Sequence, residues 1–314
     1  KQLIWIALGI IGYILIVVIL PDLKSFAKYK NVYMIITLVL MPLALIFGTE
    51  QFGAKNWILI GPISFQPSEF AKVALILFLA DLVTKNVKTI GKMWTLCRIM
   101  FWILPIVGLV GASNLSTAII ILGIGVILIF VASPKYAQFA LMGIAGACFM
   151  GIFLALESYR LERLAIWRNP EKYEKGYQTL QGLYAIGSGG VFGVGIGNSV
   201  QKLGFVPEAQ NDMIFSIICE ELGLAGAGII VFLFLLLIWR FFLIASGSRD
   251  LFGALIATGA MAHMMIQVIL NIAVVTNTIP NTGITLPFIS YGGTSVMFLL
   301  IEMGLVLSVS QVVD

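Results

Sequence analysis

Asp212 stands where a polar stretch gives way to an apolar run that continues to about Ile238, and Glu208, Glu220 and Glu221 lie in or beside the same run. An ionised carboxylate at membrane depth costs roughly 3 kcal/mol even on lenient insertion scales, so such acids have either chemistry or dedicated partners. At this boundary a carboxylate could meet a water-borne and a lipid-borne group together, and an ionised acid could serve as a general base. The pair Asn211 and Asp212 also reads as a helix N-cap. The positive helix end would keep the acid charged, so cap and base can coexist in one residue.

A second constellation opens the next-best candidate helix, at Gln66 to Lys72. Ser68 can cap it with Pro67 beside it. Glu69 and Lys72 are three apart, so they share a face and can pair. That pair is either a structural bridge or a polar floor for an anionic headgroup. Glu220 and Glu221 point about 100° apart, given 3.6 residues per turn, and read as partners in structural hydrogen bonds to another helix. Asp81, Glu302 and the single histidine, His263, read as satisfied packing residues. Cys97, Cys148 and Cys219 lack metal-ligand spacing and read as small core residues. The glycine-rich run 187–198 fits neither a dinucleotide fingerprint nor a P-loop, and implies tight turns with a close backbone approach.

The elements that must position these residues follow from composition. The 314 residues are 60% hydrophobic and 11% charged, against roughly 25% charged in soluble domains. An all-α, polytopic membrane protein is therefore expected, as a single integral membrane domain over 1–314. With about 20 apolar residues per span, nine spans are predicted: 2–20, 31–47, 68–84, 97–112, 115–133, 136–156, 212–239, 251–275 and 291–311. One set of short loops holds Lys24, Lys28, Lys30, Lys85, Lys88, Lys92, Arg98, Lys135, Arg240 and Arg249, whereas the opposite set with the N-terminus holds only Lys1 and Lys55. The first set is thus assigned to the cytoplasm. The 157–211 loop and the 276–290 loop then face outward, and a further span upstream of Lys1 would make ten. The 157–211 loop is nearly neutral and long enough to be functional. Within it, 177–185 reads as a short amphipathic helix on the membrane surface. The irregular 276–295 segment, rich in proline and glycine, is expected to wall the same cavity that Asp212 faces.

These pieces together resemble the SEDS family (RodA/FtsW/SpoVE-type) of shape, elongation, division and sporulation proteins. The resemblance is carried by 53–57, 66–72, 159–163, 167–170, 176–178, Gln181, 185–190, 195–202, 207–209, Asp212, 220–223 and 280–295. It covers the chain from about residue 50 to its end. It implies a polytopic peptidoglycan glycosyltransferase, usually of ten spans, that polymerises lipid II on the outer face of the bacterial plasma membrane and releases undecaprenyl pyrophosphate. It also implies a class B penicillin-binding protein as transpeptidase partner, and no nucleic acid. The family's essential aspartate falls on Asp212. Substrate-binding roles fall on Glu69, Lys72, Arg160, Arg163, Gln178, Gln181, Lys202 and Ser290. No nucleotide or organic cofactor is implied, while the pyrophosphate leaving group suits a divalent cation, Mg²⁺ or Mn²⁺. Two segments depart from the pattern. Gln210 and Asn211 stand where the family commonly has His-Thr, and Ser113 to Thr117 replaces a Pro-Asp-Leu-Gly-Thr motif. Residues 199–202 lean toward the division and sporulation branch. A lipid II transporter and a non-enzymatic scaffold for a penicillin-binding protein are the alternatives. A transporter would spread acids through the full depth and often carry an internal repeat. No repeat is evident, and the polar motifs gather on the outward side.

Overall fold

The computed structural model describes residues 2–19, 23–51, 54–60, 63–140, 142–144, 146, 151 and 158–311. It is mostly helical. Helices α1 (Gln2–Ile14, continued by a π-helical turn Leu15–Ile19), α2 (Leu23–Lys28) and α3 (Lys30–Phe47) lead to strands β1 (Thr49–Gln51), β2 (Ala54–Ile60) and β3 (Ile63–Phe65). Helices α4 (Pro67–Asn86), α5 (Met93–Ser113), α6 (Leu115–Ala132), α7 (Ser158–Arg168), α8 (Tyr177–Gly189), α9 (Ile214–Gly247), α10 (Leu251–Val275) and α11 (Gly293–Ser310) follow.

Among the described residues, seven helices are long and apolar enough to cross a membrane: α1 with its π turn, α3, α5, α6, α9, α10 and α11. This is a multi-pass membrane protein. The expected short span at 97–112 is a 21-residue helix with Pro105 inside it. Helix α4 has the length to span, but Glu69, Lys72, Asp81 and Lys85 set it apart from the purely apolar helices. The expected span at 136–156 lies largely outside the described residues, as do Lys1, Cys148 and the Arg160 side chain. The all-α expectation needs one correction. Residues 49–65 form a three-stranded antiparallel sheet in the order β1-β2-β3, with Thr49 opposite Trp57 and Ile58 opposite Phe65. The run from Trp57 to Ile60 is aromatic and β-branched, too short to span, and sits between glycine and proline punctuation, which favours strands.

The chain forms two compact units, one of 1–134, 237–266 and 292–314, the other of 135–236 and 267–291. In the first unit α4 is the core element. Every residue from Pro67 to Val83 except Phe70 is buried. Its charges are accordingly paired: Lys72 Nζ lies 2.8 Å from Glu69 Oε1, and Asp81 takes Lys30 together with Lys85 at 2.9 Å. His263 Nδ1 lies 2.8 Å from Glu302 in the same unit. Asp81, Glu302 and His263 are thus structural partners. Ser68 does not cap α4. The helix begins at Pro67 with Gln66 in the cap position, because proline is pre-organised for the first helical residue, and Ser68 Oγ is buried without a hydrogen bond.

In the second unit the helical ladder of α9 is interrupted at Gly223, whose backbone (φ 66°, ψ −172°) is closed to side-chain-bearing residues. Leu224 N and Ala225 N, which would bond to Glu220 O and Glu221 O in an unbroken helix, donate instead to Gly190 O and Val191 O at 2.9 and 3.0 Å. Glu220 O and Glu221 O in turn accept from Val194 N and Gly195 N at 2.9 and 3.0 Å. The glycine-rich run therefore makes the close backbone approach that its composition implies.

The Glu69–Lys72 pair generates a stability test. Lys72→Met leaves Glu69 buried without its cation and should destabilise the protein by about 3–5 kcal/mol. Combining it with Glu69→Gln should restore most of that loss in thermal denaturation in detergent. A double variant as unstable as Lys72→Met would refute the pairing as the source of the effect.

Candidate functional site

The second unit collects the polar residues around Asp212. The 177–185 helix extends through Gly189, and its buried positions Thr179, Gly182, Ala185 and Gly189 form one face of small residues. That face packs on α9. A Cβ at Gly182 would meet the Met213 methyl at 3.0 Å, and one at Gly189 would strike the Cys219 carbonyl. Gln178, one turn before Gly182 on that same face of α8, donates from Nε2 to Asp212 Oδ1 and Oδ2 at 3.3 and 3.4 Å and to Pro207 O at 3.3 Å. Asn281 Nδ2 donates to Gln178 Oε1 at 3.2 Å. This bond fixes which end of the Gln178 amide faces the carboxylate. The order is Asn281, Gln178, Asp212.

The main chain around Asp212 is held from the 276–291 loop and from α10. Asn271 Nδ2 donates to Asp212 O at 2.8 Å and to Ile284 O at 2.7 Å, and Gln267 Nε2 donates to Thr285 O at 3.1 Å. Ser290 Oγ donates to Asn211 O at 2.6 Å and accepts from Leu286 N at 2.7 Å, while Tyr291 N donates to Gln210 O at 2.7 Å. The loop thus runs alongside Gln210 to Asp212. Helix α7 meets the same loop: Trp167 Nε1 donates to Asn277 O at 2.9 Å and Arg163 Nη1 to Asn281 O at 3.5 Å. Glu208 has a positive φ of 54° and contacts Asn211 Nδ2. Non-glycine residues adopt this region rarely and at a cost of about 1–3 kcal/mol.

Asp212 is not the helix cap its position suggests. Helix α9 begins at Ile214, so Met213 occupies the cap position and the carboxylate turns to Gln178. Burial pushes its pKa up to about 7, and the negative charge of Glu208 adds to the rise. The main-chain N–H groups of Asp212 and Met213 and the Gln178 amide act the other way. Burial therefore outweighs the helix-end effect expected from sequence. An acid with its pKa near neutrality is matched to proton abstraction at physiological pH.

Of the residues implicated from sequence, Asp212, Arg163, Gln178 and Ser290 converge in this unit. Gln181 lies three residues after Gln178 on α8, half-buried. Arg160 lies on α7, with its side chain outside the described residues. Lys202 is drawn elsewhere: its Nζ sits 2.6 Å from Glu221 Oε1. Ser290 uses its hydroxyl on two backbone groups and acts as a clasp. Glu220 is satisfied as expected, although by the loop and not by a helix, through Ser199 Oγ and Val200 N at 3.1 Å. Glu69 and Lys72 belong to the first unit. Sequence reasoning missed Asn271, Gln267 and Asn281. Gln267 and Asn271 are four apart in a mostly apolar helix, and two amides on one face are a signal that could have been read.

The cell cycle protein family comprising FtsW, RodA and SpoVE matches residues 1–314. The chain belongs to this family. It is 39% identical to stage V sporulation protein E of Bacillus subtilis, over 99% of this chain and 86% of that protein. It is 34% identical to a probable peptidoglycan glycosyltransferase FtsW of Thiomicrospira cyclica, over 96% of this chain and 80% of the relative. Among solved structures it resembles a chain of a peptidoglycan synthase complex in which polymerization and crosslinking are coordinated, with a TM-score of 0.82 and 27% identity over 99% of this chain and 88% of that one. It likewise resembles the rod shape determining protein RodA of Thermus thermophilus, with a TM-score of 0.72 and 27% identity over 99% and 86% of the two chains.

Two substitutions should move the Asp212 titration in opposite directions. Glu208→Gln removes a like charge and should lower its pKa from about 7, whereas Gln178→Ala removes a donor to the carboxylate and should raise it. Isotope-edited infrared titration of the aspartate carboxyl band reads both. Shifts of the same sign would contradict the arrangement.

Proposed function

We propose that the chain is a peptidoglycan glycosyltransferase that polymerises lipid II at the outer face of the plasma membrane, with Asp212 as the general base. The observation that carries this reading is the Asp212 carboxylate. It is held by Gln178 and framed by the 276–291 loop, and burial brings its pKa to about 7. Relatives in the family are named for this activity. In the proposed step the Asp212 carboxylate takes the proton of an acceptor sugar hydroxyl. The hydroxyl oxygen forms a bond to the donor's anomeric carbon while the bond from that carbon to the pyrophosphate oxygen breaks. Undecaprenyl pyrophosphate leaves with the electron pair.

Arg163 and Arg160, both on α7, are the cations proposed to meet the pyrophosphate. Gln181 is proposed to touch substrate beside Gln178. Lys202 is engaged by Glu221, which argues for a structural role. Glu69 and Lys72 were expected to bind the headgroup. Their mutual pairing and burial support an anchor for the start of α4. Among the described residues no three His, Cys, Asp or Glu side chains converge. Mg²⁺ or Mn²⁺ would be held there by the pyrophosphate oxygens together with one or two carboxylates, as Mg²⁺ commonly is.

The finer topology belongs to the same proposal. Nine spans, including α4 and 136–156, form one membrane domain with the 157–211 loop and the catalytic side outward, as the lysine and arginine distribution favours. A class B penicillin-binding protein is the proposed partner, supported by the likeness to a chain from a synthase complex that joins polymerization and crosslinking.

The test is polymerisation of lipid II by purified protein, with and without the transpeptidase. Asp212→Asn should lower the rate by about 10²–10⁴ while thermal melting is unchanged. In the unsubstituted protein the rate should fall as pH drops through about 7, because protonation of Asp212 removes the base. Normal polymerisation by Asp212→Asn would overturn the assignment.

A further inference from the structure

The glycine-rich run and its continuation, 190–205, carry an exposed apolar set that the proposed chemistry does not use. Phe192, Ile196 and Leu203 are 84%, 81% and 75% exposed, and Val191, Val200 and Phe205 are also open. No charged residue occurs from 187 to 201. The first charge, Lys202, is taken up by Glu221.

The level of this segment along α9 is fixed by hydrogen bonds. The backbone of 190–195 is threaded into the α9 ladder at Glu220 to Ala225, with two bonds in each direction. Ser199 N donates to Glu221 Oε1 at 3.3 Å, and Val200 N to Glu220 Oε1 at 3.1 Å. From Glu221 the next charge along the chain is Arg240, and the 18 residues between them, 222–239, are uncharged. That stretch of helix rises about 27 Å at 1.5 Å per residue, close to the roughly 30 Å hydrocarbon thickness of a bilayer. Glu221 and Arg240 therefore bracket the hydrocarbon core, and the loop is clamped at its Glu221 edge. Leu224, beside the clamp, is 61% exposed, and the exposed series continues down α9 through Ile229, Phe232 and Leu233. The loop's apolar side chains extend the surface that α9 presents to lipid. Irregular backbone can lie at such a depth only when its polar groups are satisfied by protein, and the shared ladder supplies that condition for the strip that touches α9.

We infer that 190–205 is a membrane wedge, sunk at the edge of the acyl-chain region with Phe192, Ile196 and Leu203 among lipid tails. Its occupant is the bilayer itself. Glu221 is then paired and Glu220 hydrogen-bonded from the loop side, because the wedge carries Lys202 and Ser199 to their level. The cost of two acids at the membrane edge is met by the same segment that buries its apolar residues there.

The test is site-directed spin labelling of the full chain in liposomes, at Ile196→Cys and separately at Phe192→Cys, with Cys97, Cys148 and Cys219 replaced by serine. Collision rates with molecular oxygen and with a water-soluble nickel chelate report depth. Both sites should favour oxygen over nickel several-fold, as a label at Leu233→Cys should, while one at the exposed Glu174→Cys should favour nickel. Nickel access equal to that at Glu174 would place the loop in water and overturn the proposal. Exclusion of both reagents would also overturn it, by showing that protein and not lipid covers the segment. Phe192→Cys supplies the same readout should Ile196→Cys fail to fold.

Discussion

Two rungs of the α9 ladder are replaced by a neighbouring segment. At Gly223 the helix breaks, and 190–195 supplies both the acceptors and the donors that the break would otherwise strand. Away from water an unpaired backbone group costs several kcal/mol, so the loop and the helix are obliged to go together. From that obligation follow the placement of Ser199 and Lys202 against Glu220 and Glu221, and the seating of Gly189 on the Cys219 carbonyl. A Cβ at Gly193 or Gly223 would collide with the backbone across the break. The glycines serve this contact.

The acids of the chain separate by the company they keep. Glu69, Asp81, Glu221 and Glu302 each face a lysine or the histidine, and Glu220 faces a hydroxyl and a main-chain N–H. Asp212 faces an amide, with a second acid four residues upstream. Cations neutralise the first four, and hydrogen bonds hold Glu220. Asp212 is kept in place by amides that carry no charge, so its proton affinity rises with burial and it can exchange a proton near neutral pH. The side chains that hold it are themselves held: Gln178 by Asn281, and the Asp212 carbonyl by Asn271.

Much of this is legible in the sequence alone. Helix spans follow from apolar runs, the Glu69–Lys72 pair from its spacing, and Asp212 from its place at the edge of an apolar run. The sheet at 49–65 was hidden because its strands are short and their partners lie only a turn away. The cap at Asn211 and Asp212 was misplaced because a local pattern cannot tell a helix start at 212 from one at 214. Lys202 read as a cation for substrate because its partner, Glu221, lies 19 residues off and meets it only through the loop's fold.

By itself the sequence determined that this is a multi-pass membrane protein of the FtsW/RodA/SpoVE family, with one acid at a polar–apolar boundary. Hydropathy and motif order are local properties, carried by the chain in any conformation. Only the tertiary structure decided which charges meet one another and that the buried Asp212 carboxylate faces the Gln178 amide. Pairing depends on distances between residues far apart in sequence, such as the 59 positions that separate Asn271 from the Asp212 carbonyl it clamps.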